Sequence, residues 1–195
     1  MYTILRFLLW LPLRMFYPTK TVGKQYLKHK GSCIYAPNHQ SWIDAFLVAV
    51  RVKCSTYYMG KKELFNNFFL RLFLKYIHAF PVDREALDMQ SIRTVKKLFD
   101  NNKSLVMFPQ GTRKDQADNF EGMKNGAVYF AIKFKTPIIP MYFQKKPRIF
   151  RRNKLIIGEP LYFDEYYNQK PTKEILSQAS NKLIECVNEL KNNSN

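Results

Sequence analysis

Short runs rich in β-branched and aromatic residues alternate with longer stretches of helical period, and this alternation narrows the possible folds more than any other feature of the chain. Strands are predicted over residues 32–36, 55–59, 79–82, 104–108, 138–143 and 154–157, and helices over 41–50, 62–77, 84–101, 123–134 and 172–191. Strand and helix in alternation predict an α/β fold, a layered domain with a largely parallel central sheet flanked by helices. A chain of 195 residues supports one such core and leaves little for a second. No repeat, low-complexity tract or Gly/Ser-rich linker divides it.

Three predicted strands run into proline followed by polar, reactive side chains. They are YAPNH (Pro37 to His39), FPVDR (Pro81 to Arg84) and FPQGTR (Pro109 to Arg113), and TPIIP places Pro137 and Pro140 around a fourth. Proline cannot donate to a central ladder, so each is read as a strand exit. Ligands in α/β sheets bind beyond the carboxyl ends of strands. The exits therefore predict one crevice gathering His39, Arg84, Arg113 and a Gly111-Thr112 turn.

His39 and Asp44 form an H-x4-D spacing. On one continuous helix their side chains would point roughly 140° apart, so contact requires His39 ahead of a helix and Asp44 in its first turn. Ser41 is a good N-cap, and Ser41-x-x-Asp44 resembles a capping box. Spacing alone leaves two readings. In one, Asp44 caps a helix and His39 is a loop histidine. In the other, the carboxylate fixes His39 through Nδ1 and leaves Nε2 free as a base, help that contributes roughly 10²–10⁴-fold to a proton-transfer step. No G-x-S-x-G nucleophile elbow is present. Cys33, Cys54 and Cys186 form neither a metal spacing nor a disulfide framework and read as small buried thiols in a reducing compartment. Singly, Arg84 and Arg113 read as solvated surface residues. Together on equivalent exits their planar forks read as a phosphate clamp, with Gly111-Thr112 turning backbone N–H groups toward the same anion.

Charge bears on the partner. Lys and Arg number 32 against 15 acids, a net charge of +17, which predicts nucleic acid or an anionic membrane surface. No acid precedes Asp44, whereas Arg6, Arg14, Lys20, Lys24, Lys28 and Lys30 do, interleaved with Leu, Phe and Trp. That mixture suits a headgroup interface. The uncharged run 7–13 contains Pro12 and is too short to span a bilayer, which takes about 20 apolar residues, and no signal-peptide pattern is present. Residues 1–18 are therefore expected to be an N-terminal amphipathic membrane-associating helix, with Trp10, Leu and Phe in lipid and Arg6 and Arg14 at the headgroups. Residues 19–195 are expected to form the α/β domain that carries the His39 crevice. Packing of the first segment on the core is the other reading. Between residues 64 and 80 apolar side chains recur in steps of four, a stripe that fits either a helix packed on the sheet or one bordering an acyl-chain channel or the bilayer.

Four blocks in order resemble the 1-acyl-glycerol-3-phosphate acyltransferases of the glycerolipid acyltransferase superfamily. NHQSWID matches N-H-x-S-x-x-D through Asn38, His39, Ser41 and Asp44. GKKELF and the downstream FPVDR match K-x-E-L and an arginine, here Lys61 and Arg84. FPQGTR stands against F-P-E-G-T-R, and TPIIPMYF lies around Pro140. Lys124 with Gly126-Ala127 resembles the family's K-x-G-A element, and IIGEPL its closing strand; the likeness spans about residues 20–165. It implies His39 as general base, Asp44 as its orienting partner, and Arg84, Arg113, Lys61 and Lys124 on the acceptor's phosphate, with Gln110, Gly111 and Thr112 in support. It implies acyl transfer from acyl-CoA or acyl-carrier protein to the sn-2 hydroxyl of lysophosphatidic acid, with no metal or bound cofactor. The expected location is peripheral or monotopic on the cytoplasmic face of a membrane. Gln110 replaces the family's glutamate, so the acceptor stays open to another lysolipid or glycerol-3-phosphate. A nucleic-acid-binding protein, the remote alternative, has no account of the ordered blocks.

Overall fold

The computed structural model of the protein describes residues 10–52, 56–82, 88–111 and 123–193. Arg6, Cys54, Arg84, Thr112 and Arg113 lie outside the described residues. Within them the strands are β1 (Thr19–Val22), β2 (Ile34–Pro37), β3 (Thr56–Lys61), β4 (Ala79–Val82), β5 (Ser104–Val106), β6 (Ile138–Phe143) and β7 (Asn153–Ile157). They form one sheet in the order β1-β7-β6-β2-β5-β3-β4. From β6 to β4 every pairing is parallel. β7 runs antiparallel to β6, and β1 follows β7 in parallel. The helices are α1 (residues 10–16), α2 (Asp44–Ala49), α3 (Phe68–Tyr76), α4 (Met89–Asp100), α5 (Gly126–Phe134) and α6 (Lys173–Asn192).

The period of two within the strands divides the core into two layers. Ile34 and Ala36 of β2, with Ile138 and Tyr142 of β6, face α4, α5 and α6 through Val95, Phe130, Ala179 and Leu183. Cys33 and Tyr35, with Ile139, Met141 and Phe143, face α1, α2 and α3 through Leu13, Ile43, Leu47, Val48 and Leu74. All six residues of β6 are buried, as a strand covered on both faces requires. Leu47 and Val48 are fully buried, each stabilising the fold by about 1.5–3 kcal/mol, and they hold α2 against the sheet. Leu47→Ala would cost about 2–5 kcal/mol at such a site.

Several expectations are corrected. The strand β1 carries no apolar alternation and gave no strand signal; it is an edge whose pairing to β7 supplies the order. Pro81 does not mark an exit: it lies inside β4, the other edge strand, where a missing donor is tolerated. Pro140 likewise lies within β6, at the point where β7 has departed and only the Gly158 N–H reaches its carbonyl, at 2.9 Å. The helix expected over 62–77 is broken. Lys62–Phe65 is a 3₁₀ turn, and Asn67, in extended conformation, caps α3 by accepting from the Leu70 N–H at 3.0 Å. Nor does Ser41 cap a helix. α2 begins at Asp44, three residues later, with Ile43 at its N-cap and no side-chain cap bond.

Side-chain exposure bears on two expectations that had alternatives. Of α3 only Leu74 is buried, with Phe65 and Ile77 of the stripe half-buried against the same layer, while Phe68, Phe69, Leu72 and Phe73 are exposed, so the stripe is covered only in part. In α1, Leu13 is buried against the second layer, whereas Trp10, Leu11, Met15 and Phe16 are exposed. No described helix is long and apolar enough to cross a membrane.

Candidate active site

The loop from β2 to α2 carries His39 over the carboxyl edge of the sheet. Its path is fixed by side chains that grip the end of β6. Asn38 bonds the Phe143 backbone twice, donating from Nδ2 to the carbonyl at 3.0 Å and accepting from the N–H at 2.7 Å. Gln40 Nε2 donates to the same carbonyl at 2.8 Å. Both side chains are buried, where unpaired amides would cost about 1–3 kcal/mol each.

Between these anchors, Asp44 is completely buried at the start of α2. Its Oδ2 lies 3.0 Å from His39 Nδ1 and accepts from the backbone N–H groups of Gln40 and Ser41, each at 2.7 Å. The two backbone bonds hold the carboxylate rigidly, and the carboxylate holds the ring. With Nδ1 engaged, the ring presents Nε2 away from Asp44. The His39 ring stacks on Phe108, centroids 3.9 Å apart, and its side chain keeps 14% exposure, enough to meet a substrate. The two readings of the spacing thus merge: Asp44 reaches back to the loop's N–H groups and orients His39 at once.

Gln110 stands just beyond β5, buried, and its Oε1 accepts from the His39 N–H at 2.7 Å. It lies against the backbone of the dyad loop, so a neutral amide suffices where the resemblance has a carboxylate. Gly111 follows at φ 70°, and a β-carbon there would stand 3.0 Å from Lys124 Cδ. The Lys124 stem therefore lies across the Gly111 turn, and the Lys124 N–H donates to Pro109 at 2.9 Å. Lys61 ends β3 on the same edge, two strands from β2, exposed and 3.1 Å from Glu63. The structure thus brings together His39, Asp44, Gln110, Gly111 and Lys124, and places Lys61 further along the edge. Sequence reasoning missed the gripping role of Asn38 and Gln40 and the stacking of Phe108. Polar residues directly after a buried strand were the available signal for the first two, and nothing marked Phe108.

A histidine oriented by a buried carboxylate, at the carboxyl edge of a mainly parallel sheet, suits general-base chemistry, and the family described as Acyltransferase matches residues 19–144, which makes the chain an acyltransferase of α/β architecture. The chain is 36% identical over 179 residues to the 1-acyl-sn-glycerol-3-phosphate acyltransferase of Bacillus subtilis (strain 168), spanning 89% of this chain and 88% of that one. It is 34% identical over 127 residues to the enzyme of the same name from Limnanthes douglasii, spanning 64% of this chain and 44% of that one. The crystal structure of the 1-acyl-sn-glycerophosphate (LPA) acyltransferase PlsC from Thermotoga maritima shares the fold, with a TM-score of 0.65 at 20% identity over 89% of this chain and 72% of that one. The chain belongs to the 1-acyl-sn-glycerol-3-phosphate acyltransferase family.

Proposed function

We propose that the protein moves a fatty acyl group from acyl-CoA or acyl-carrier protein to the sn-2 hydroxyl of lysophosphatidic acid, giving phosphatidic acid. The carrying observation is the 3.0 Å contact between His39 Nδ1 and Asp44 Oδ2. His39 Nε2 removes the hydroxyl proton as the oxygen attacks the thioester carbonyl carbon. The carbon–sulfur bond then breaks, the thiolate leaves, and the proton held on His39 passes to it. Direct transfer needs no acyl-enzyme, metal or bound cofactor. Asp44 keeps the tautomer and stabilises the imidazolium that forms.

The acceptor's phosphate meets Lys124 over the Gly111 turn, with Lys61, Arg84 and Arg113 completing the cation set and Thr112 supporting it. Gln110 steadies the loop beneath. Residues 19–195 constitute the catalytic domain, and residues 1–18 associate with the phospholipid surface on the cytoplasmic face of a membrane. The exposed apolar side chains of α1 and α3 support this reading. They lie open to solvent in a chain whose net charge of +17 favours anionic lipid. Trp42, exposed three residues after His39, meets Phe46, which meets Phe73 of α3, each pair at 6.1 Å. This aromatic path joins the α3 face to the dyad loop.

The test is purified protein with lysophosphatidic acid and each donor type, following thioester loss and phosphatidic acid. His39→Ala should remain folded and abolish transfer, and near-normal turnover would sink the mechanism. A panel including other lysolipids and glycerol-3-phosphate fixes the acceptor.

A further inference from the structure

Away from the dyad, α1, the entry to β1, the end of α2 and the entry to β7 enclose a cleft of about 630 Å³, a size that suits a nucleotide-sized ligand. Its lining includes Arg14, Lys20, Lys24, Arg51, Arg152 and Lys154 and, among the described residues, no acidic side chain. Self-repulsion among six cations is unfavourable unless an anion offsets it.

Arg51 is the most telling of the six. It is half-buried, its Nη1 donates to the Leu47 carbonyl at 2.8 Å, and among the described residues no carboxylate pairs with it. Burial lowers its pKa to about 10. An anion seated in the cleft would compensate that desolvated guanidinium. A bilayer surface reaches the exposed Lys20 and Arg152 at the rim, whereas Arg51 at the end of α2 requires a group that enters. Trp10 also lines the cleft; its ring is 42% exposed, with the Arg14 guanidinium 5.1 Å from its centroid. It adds a flat surface suited to a purine.

The cleft and the dyad are joined in two ways. Asp44 opens α2 and Arg51 lies just past its far end, a helix of six residues and about 9 Å. Gln144, another lining residue, follows Phe143, whose carbonyl holds Asn38 and Gln40 on either side of His39. A long substrate lying along this edge would have one end among cations and the other at His39.

We propose that this cleft seats the nucleotide of the acyl donor, binding the pyrophosphate and ribose phosphate of coenzyme A while the pantetheine arm carries the thioester to His39. The inference rests on the acyl-transfer reading, narrows its donor to the coenzyme A thioester and adds a donor site.

The test measures binding apart from turnover. The His39→Ala protein in detergent is titrated by calorimetry with free coenzyme A and with adenosine 3′,5′-bisphosphate, with and without Lys20→Gln/Arg152→Gln. Both altered positions are exposed, so the fold should persist, and a thermal melt checks it. Saturable binding of both probes, weakened about ten-fold by the double change, is expected from the loss of charge-assisted contacts. With His39 intact, the double change should raise the KM for acyl-CoA by about ten-fold and leave that for lysophosphatidic acid within about two-fold. Adenosine 3′,5′-bisphosphate should compete with acyl-CoA in the unaltered protein, a measurement that needs no variant. Failure of coenzyme A to bind overturns the proposal, including the case in which only acyl-carrier protein serves as donor. So does a double variant that loses affinity for phosphatidylcholine–phosphatidylglycerol vesicles while keeping its affinity for coenzyme A, which would make the cleft a lipid-headgroup site. Tight coenzyme A binding without any acyl transfer would instead refute the proposed function and leave the cleft assignment standing.

Discussion

Asp44→Asn separates chemistry from stability. The Asp44 carboxylate is completely buried and receives three contacts on Oδ2, two from backbone N–H groups at 2.7 Å and one from His39 Nδ1 at 3.0 Å. Its Oδ1 has no hydrogen-bond partner among the described residues. Asparagine can keep an oxygen at the Oδ2 position and so retain all three contacts, now without charge. Charged acceptors give roughly twice the strength of neutral ones, and the new amide N–H₂ would occupy the unpartnered Oδ1 position. Relief of the buried charge offsets part of these losses, leaving a net cost of about 1–3 kcal/mol. Against a domain stability of about 5–15 kcal/mol the protein stays folded. The catalytic loss should be larger. Removing the charge that orients His39 and stabilises its protonated form should lower kcat by roughly 10²–10⁴-fold, or about 2.7–5.4 kcal/mol of barrier. KM for both substrates should move little, because Asp44 touches neither. Thiol release from the acyl donor gives kcat, and urea unfolding gives the stability change. A kcat within about three-fold of the parent, or a loss no greater than the unfolded fraction, would refute the argument.

Asn38→Ala removes both bonds to the Phe143 backbone. It should cost about 1–3 kcal/mol, read as a Tm lower by about 4–8 °C at the middle of that range, and should reduce turnover at least ten-fold as the His39 loop loosens. Phe69→Ser/Leu72→Ser alters side chains 80% and 62% exposed; Tm should stay within about 2 °C while partition into anionic vesicles falls at least ten-fold, and unchanged partition would remove α3 from the membrane contact. His78, stacked on Tyr57 at 4.7 Å, has its pKa pushed down by burial and then by the nearby positive charge of Lys103. The unfolded chain therefore binds its proton first, so stability is intact above the usual histidine value of about 6.5 and declines as pH falls below it. His78→Gln should make Tm less sensitive to a shift from pH 7.5 to 5.5, and equal sensitivity would contradict the assignment.

The sequence was most informative where a residue's environment depends on its neighbours in the chain. β4 and β6 lie where their patterns put them, Ala79–Val82 and Ile138–Phe143, and in β6 burial on both faces leaves an unbroken apolar run. The His39–Asp44 contact followed from requiring one residue before the helix and one in its first turn. What stayed hidden depends on distant partners. β1 is ordered by β7, more than a hundred residues later, and its own residues carry no strand period. Pro140 looked like a strand exit because nothing local shows that β7 leaves the sheet at that point. The bond from the His39 N–H to Gln110 spans 71 positions, and no local pattern announces it. The α3 stripe was a correct statement of period, but a period does not say whether protein, lipid or water covers the face. The clustering of Arg14, Lys20, Arg51 and Lys154 around one cleft came from chain crossings no spacing rule describes.

The grip on Phe143 has a kinetic consequence. The bonds that fix the loop close intervals of 105 and 103 residues, and the Gln110 bond one of 71. Such contacts form only after long stretches of chain have been brought together, an entropic cost that local helices do not face. During refolding, far-ultraviolet circular dichroism should therefore recover ahead of enzymatic activity, and the delay should end when β6 docks beside β2. The dyad, five residues apart in the chain, is in this sense one of the last features to form. A nascent chain emerging from the ribosome would hold His39 and Asp44 without the strand that makes them a site.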